Sequence, residues 1–461
     1  MSLRFSRSSL LVVSLLAGAC SSSADGGHDD AGVHPSTDAG AHTSPDSAAP
    51  DAAHAHDATS KDAHSGGDAS DGGSVDAARD QSAPHEAGDA ALDVATPPAD
   101  AANDSDGATP DGPAPDAHTD SASGSPPTDA TSGTPPSPAL RYVGRIELSD
   151  PAGPQFEWPG TEVIARFDGT GITLNMTDYG NYFDVIVDGT VQPTPIIGLA
   201  GTTAYTLVSG LPTGTHEVIL YRRTEAYVST TQILGQTVIG GSLLPPGQAA
   251  SRRIEVIGDS ISCGYGALGV GPMCDPTDAN EDHDVTYEAV AGRALGADVI
   301  TTAWSGEGVY ENYGGSMTST LPDLYPYTLP NEPGTGTLWD FTSWIPDAVV
   351  IDLGTNDFSN GDPGSGYETA YLALLRTVRG HYPNAYILCA NGPLLTNPDF
   401  TTAEAYINGA ITQMGDPKVA YLSFGIQSGA DGYGCDYHPN VATHAEMALT
   451  LEQALQAALG W

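Results

Sequence analysis

The sequence predicts an α/β protein in which a doubly wound parallel sheet is preceded by an antiparallel β-sandwich and a disordered N-terminal tether. Three observations carry that expectation. From residue 251 onward, apolar runs of strand length alternate with stretches of helical period. Between 140 and 250, short alternating runs are separated by turn dipeptides, and residues 21–139 lack the side chains that build a core.

Residues 1–20 carry Arg4 and Arg7, then an apolar stretch over 10–16, then Ala17-Gly18-Ala19-Cys20. This is the layout of a secretory signal, too short to span a bilayer permanently. Small residues before a cysteine, followed by Ser21, resemble a bacterial lipoprotein processing site, although Ala17 stands where a branched aliphatic is usual. The expectation is an exported protein with a lipid on Cys20. It would be anchored in the outer membrane of a Gram-negative bacterium, facing the periplasm or the exterior.

The segment 21–139 is built of Ala, Asp, Ser, Gly, Pro, Thr and His and cannot bury enough apolar surface to offset its ordering entropy. Treated as a flexible coil, roughly 120 such residues span about 60 Å, and self-repulsion extends them further. Eight of the thirteen histidines fall here, irregularly spaced and without cysteine partners, so a spacer is favoured over a metal site. The formal charge of −43 leaves no basic stripe to neutralise phosphates, which excludes nucleic acid as a partner.

Four cysteines follow Cys20. Cys389 sits in an apolar strand run, whereas Cys263, Cys274 and Cys435 fall in loops, where export permits one bridge whose pairing is left open.

In the sandwich region 140–250, the run 183–187 ends at Asp188-Gly189 and the run 216–220 follows Thr213-Gly214, both hairpin punctuation. In the region 251–461, strands are predicted over 254–257, 299–303, 348–353, 385–390 and 419–424. Helices are predicted near 285–295, 367–381, 403–414 and 441–459. Ligands of such sheets lie outside the carboxyl ends of the strands, and Ser260, Gly306, Asn356 and the loop bearing His438 all belong to that rim.

These residue types point to acyl transfer. A serine hydroxyl is a weak nucleophile until a histidine takes its proton, and that imidazole needs an acceptor to hold its tautomer. Ser260 in Gly258-Asp259-Ser260, His438, and Asp436 two residues before it meet those needs. Charge on the carbonyl oxygen then calls for donors: the N–H of Ser260, the N–H of Gly306, with Gly308 as its competitor, and the Asn356 amide. Asp259 and Asp357 read as braces of their loops and His444 as a helix-face residue. The Gly264-Tyr265-Gly266-Ala267-Leu268-Gly269 run matches a dinucleotide pattern but leads into Gly271-Pro272 instead of a helix. Asp275, Asp278, Asp282 and Asp284 lack the glycine and glutamate of a calcium loop.

The blocks around Ser260, Gly306, Asn356 and His438 resemble, in order, the four signatures of the SGNH, or GDSL, hydrolase superfamily. More narrowly, residues 140–461 resemble carbohydrate esterase family 2, which joins a jelly-roll domain to an SGNH domain. That likeness rests on Phe156-Glu157-Trp158-Pro159-Gly160, Arg223-Thr224-Glu225-Ala226, the extended Ser260 block and Gly434-Cys435-Asp436-Tyr437-His438-Pro439. Ser262 and Tyr437 stand where a threonine and a tryptophan are expected. The resemblance implies a serine esterase of the acetyl xylan esterase type, removing O-acetyl groups from plant polysaccharides such as xylan or glucomannan without metal or organic cofactor. Some members of the family orient the histidine with a backbone carbonyl; the presence of Asp436 leads us to expect a full Ser-His-Asp triad in a monomer. The rival expectations are a lipid esterase or thioesterase on the same site, and a sugar-binding surface lipoprotein without catalysis. Trp304, Trp339 and Trp344 are candidates for stacking on sugar faces.

Overall fold

The computed structural model describes residues 139–331 and 336–461. Cys20, the predicted signal and the predicted tether up to residue 138 lie outside the described residues.

Alternation of buried and exposed positions builds two antiparallel sheets from the first described part. In one, the strands Arg141–Val143, Glu162–Gly169, Gly214–Arg222, Tyr182–Val187 and Thr190–Val191 are neighbours in that order. The other orders Gln155–Phe156, Thr231–Ile239, Gly171–Asp178 and Gly201–Val208. Phe156, Phe167, Leu174, Met176, Phe183 and Leu220 meet between them as one buried core. The predicted hairpin at Asp188-Gly189 is present, with positive φ at both residues (48° and 79°) and the strand pair Tyr182–Val187 and Thr190–Val191 on either side.

The second part is a five-stranded sheet, parallel throughout, in the order Ala297–Ala303, Arg252–Gly258, Ala348–Asp352, Tyr386–Asn391, Val419–Ser423. Its strands read as continuous apolar runs because both faces are covered. Ile257, Val349, Ile351 and Ile387 pack on one side, toward the helices Ser365–His381 and Asp399–Met414. Ile254, Val256, Val350 and Leu388 pack on the other, toward Tyr287–Leu295 and Val441–Leu459. The sequence of buried sides therefore alternates with a period of two inside central strands that are largely buried. The predicted elements are recovered with small shifts at their ends. The helix predicted at 403 begins at Asp399, and the one predicted at 285 begins at Tyr287, because His283–Val285 forms a 3-10 turn.

Polar contacts, many of them buried, join the sandwich to the parallel sheet. Arg145 pairs with Glu255 at 2.7 Å and donates to the Tyr325 carbonyl. Trp158 Nε1 donates to Tyr327 O, and Arg223 reaches Glu281 O and Asp282. Truncating one member of a buried pair such as Arg145–Glu255 costs about 3–5 kcal/mol, since it strands the other charge. The strand order reverses between Arg252–Gly258 and its two neighbours, so the crevice at that switch point is where the site is expected.

Candidate active site

Ser260 opens a one-turn helix, Ser260–Cys263, directly after the strand Arg252–Gly258. The turn is tight for definable reasons. A Cβ on Gly258 would lie 2.2 Å from Ser262 Oγ, and Gly264 closes the helix in the left-handed region at φ 79°. Asp259 caps the helix by accepting from Ile261 N at 3.0 Å, and burial pushes its carboxyl up to about 7. Its expected bracing role is what its contacts describe.

His438 Nε2 lies 2.8 Å from Ser260 Oγ. His438 Nδ1 lies 3.0 Å from the backbone carbonyl of Asp436. A carbonyl can only accept, so Nδ1 carries the proton and Nε2 is left as the acceptor for the serine hydroxyl. Burial holds the imidazole below its ordinary value of 6.5, opposed by the Asp436 carbonyl contact and by the negative charge of Asp436.

This corrects the expectation that the Asp436 carboxylate orients His438. Asp436 is in the left-handed region (φ 50°, ψ 41°), followed by Tyr437 at φ 60°, and the backbone doubles back on itself. That turn aims the Asp436 C=O at the ring two residues on, while its side chain is exposed at the cavity. Tyr437, also exposed, packs edge-on to Tyr433.

The loop is held down from the nucleophile side. Cys435 is bonded to Cys274, which settles the open pairing, and Cys435 N donates to Gly266 O at 2.9 Å. Cys263, a candidate for that bridge, is a free buried thiol, as is the strand residue Cys389. The glycines of 264–269 thus serve close approach: a Cβ on Gly269 would meet Cys435 N at 2.4 Å. Asp282 and Asp284 of the acidic stretch are paired with Arg223 and Arg293.

Gly306 and Asn356 line a cavity of about 580 Å³ together with Ser260 and His438. Asn356 Nδ2 donates to Glu307 O at 2.9 Å, with a long contact of 3.4 Å to Asp259 Oδ2, which pins the amide at the cavity wall. Asp357 accepts from the N–H groups of Val309, Tyr310 and Glu311, bracing the loop that bears Gly306. Of the two competing glycines, Gly308 donates its N–H to Asn312 Oδ1 and is buried, whereas Gly306 faces the cavity.

Sequence reasoning missed several residues here. Tyr265 packs its ring 4.6 Å from that of His438, and Tyr313, Phe358 and Leu395 complete the apolar part of the wall. The tryptophans go elsewhere. Trp339 and Trp344 lie against Arg145 and Arg253, and Trp304 packs on the core of the parallel sheet. His444 is buried beside Tyr287, with burial lowering it to about 3.

A serine whose hydroxyl meets a tautomer-fixed histidine, in a cavity at the switch point of a doubly wound sheet, defines a serine hydrolase of the SGNH type. The comparisons place it further. The family described as carbohydrate esterase 2 N-terminal matches residues 142–246, and the GDSL-like lipase/acylhydrolase family matches 256–446. The solved structure of a family two carbohydrate esterase from Clostridium thermocellum, in complex with cellohexaose, is 40% identical. It superposes with a TM-score of 0.67 over 70% of this chain and 100% of that one. The cellulase/esterase CelE of Acetivibrio thermocellus is 40% identical over 330 residues, which are 70% of this chain and 40% of CelE. An acetylxylan esterase / glucomannan deacetylase of Cellvibrio japonicus is 29% identical over 335 residues, 70% of this chain and 90% of that protein. The chain belongs to carbohydrate esterase family 2.

Proposed function

We propose that this esterase removes O-acetyl groups from plant cell-wall polysaccharides, xylan or glucomannan, with Ser260 as nucleophile and His438 as general base and acid. The observation that carries the proposal is the 2.8 Å contact between Ser260 Oγ and His438 Nε2, on an imidazole whose other nitrogen is committed to the Asp436 carbonyl. The choice of substrate is supported by the similarity to the Cellvibrio japonicus enzymes.

In the mechanism, Ser260 Oγ attacks the acetyl carbonyl carbon while its proton passes to His438 Nε2. The carbonyl oxygen becomes an oxyanion facing the N–H groups of Ser260 and Gly306 and the Asn356 amide. His438 returns the proton to the departing sugar oxygen, leaving acetyl on Ser260. Water, deprotonated by His438, then attacks the acetyl-serine; acetate leaves and Ser260 regains its proton. Asp436 acts through its main chain, as the acceptor that holds Nδ1–H.

The lipid on Cys20 and the outer-membrane location are proposals supported by the sequence layout, and the monomeric state is proposed with them; among the described residues, no helix is long and apolar enough to cross a membrane. Incorporation of labelled fatty acid by the full chain, absent in Cys20→Ser, tests the anchor.

The enzymatic test is acetate release from acetylated xylan and acetylated glucomannan by the full chain beside Ser260→Ala. Release that disappears in the variant is the expected result. Activity confined to long-chain acyl esters moves the reading to lipid or thioester hydrolysis, and retention of polysaccharide without any hydrolysis moves it to a binding protein.

A further inference from the structure

Glu225 belongs to the sandwich, in the turn after the strand Gly214–Arg222, yet its carboxylate is fully buried against the parallel-sheet part. It grips one residue with both oxygens. Oε2 accepts the Ser305 N–H at 2.7 Å, and Oε1 accepts the Ser305 hydroxyl at 2.6 Å. Oε2 also takes the Cys263 thiol, at 3.6 Å, from the short helix that Ser260 begins. A single side chain of the sandwich therefore touches both the nucleophile helix and the loop carrying Gly306.

We propose that Glu225 is a positioning residue of the esterase: through Ser305 it sets the direction in which the Gly306 N–H points at the oxyanion. The proposal rests on the reading above that Gly306 donates to the oxyanion.

The N–H of Gly306 lies in the Ser305–Gly306 peptide plane, and that plane is clamped from both sides. Upstream, Glu225 holds the Ser305 N–H and hydroxyl; downstream, Gly306 O accepts from Tyr313 N at 2.7 Å. Such a clamp is needed because Gly306, at φ 85° and without a Cβ, has little to restrain it. Glu225 is itself pinned, its N–H donating to Glu281 Oε1 at 2.6 Å and its carbonyl accepting from Arg222. The contrast with Glu255 is informative. That residue joins the same two parts by pairing with Arg145, as an interface carboxylate does, whereas the Glu225 carboxylate accepts from Ser305 and Cys263. Among the described residues no salt bridge to the Glu225 carboxylate is formed, and burial pushes it up to about 7.

The test uses the full chain and its Glu225→Ala and Glu225→Gln variants, with kcat and KM measured on 4-nitrophenyl acetate. Phosphonylation by a 4-nitrophenyl phosphonate is followed in parallel; there Ser260 Oγ displaces 4-nitrophenolate from phosphorus and the phosphonyl oxygen occupies the oxyanion position. Removing one oxyanion donor outright costs about 10²–10³-fold. Misaiming it is expected to lower kcat about 100-fold in Glu225→Ala and about 10-fold in Glu225→Gln, with KM within about 2-fold and phosphonylation slowed alongside. Gln keeps an acceptor for the Ser305 N–H and the volume of the side chain, so it remains informative where Ala does not fold. Variants of unchanged kcat, or a change confined to KM, overturn the proposal. Phosphonylation that slows in Glu225→Gln, in a chain that hydrolyses no acetyl ester, supports Glu225 and overturns the esterase reading instead. Loss of neither reaction in a folded Glu225→Ala leaves Glu225 as interface packing and overturns the proposal alone.

Discussion

The two halves of the candidate catalytic pair are held in place by different kinds of structure. Ser260 is positioned locally: a strand ends, Asp259 caps one helical turn, and Gly258 and Gly264 admit the close approaches that turn needs. His438 sits in a loop with little regular structure, and its place depends on the Cys274–Cys435 bond, on Gly266 and on two consecutive residues in the left-handed region. The lesson is that a candidate nucleophile can be built from a dozen neighbouring residues, whereas its proposed base is delivered here by contacts between segments 161 residues apart.

Removing either partner is the largest break. Ser260→Ala and His438→Ala are each expected to lower kcat by roughly 10⁵-fold, and together no further, because the two act as a unit. Additive losses in the double variant would show that they do not. Opening the long-range brace comes next. Cys274→Ser with Cys435→Ser is expected to cost about 2–4 kcal/mol in thermal unfolding and to lower activity, and an unchanged melting temperature would remove the bridge from the account. On the local side, Gly258→Ala forces a Cβ against Ser262 and is expected to cost about 1–3 kcal/mol, read from denaturant unfolding.

The smallest expected effect is the most discriminating. Asp436→Asn keeps the backbone carbonyl, and Asn tolerates the left-handed region, so kcat should stay within about 3-fold of the parent. In a full triad the corresponding change costs about 10⁴-fold, so a loss of that size would return the carboxylate to the mechanism. The pH profile sharpens the point. As the proposed base His438 must be neutral, and burial lowers its pKa, so the acid limb of kcat/KM should fall below pH 6.5. The charge of Asp436 raises that pKa, and Asp436→Asn should therefore move the limb lower still. A limb that moves up would contradict the assignment.

Much of this architecture was legible beforehand for a physical reason. The strands Arg252–Gly258 and Ala348–Asp352 are apolar because helices cover both faces, and the turn at Ser260 announces itself through glycine spacing. Four blocks at four strand or loop ends named Ser260, Gly306, Asn356 and His438, which the fold then brings around one cavity. The sequence prefers Gly306 to Gly308 only by the likeness of its Ser-Gly pair to the family block; the physical ground, that the Gly308 N–H already has an acceptor, was not legible. Nor was the hold of Glu225 on Ser305, across 80 residues and two different sheets. Its only trace in the sequence was membership of the block Arg223-Thr224-Glu225-Ala226, which said that it mattered and not what it touched.

Composition, periodicity and glycine placement determined the class of each sheet, the place of its strands and helices and the candidates for the reacting side chains, because those depend on neighbours within a few residues. Only the tertiary structure decided that Asp436 meets His438 with its main chain, that Cys274 and not Cys263 bonds Cys435, and that a carboxylate of the sandwich reaches the oxyanion loop. Each of those depends on a backbone torsion or a distance between remote segments, and neither is encoded by the type of residue at a position.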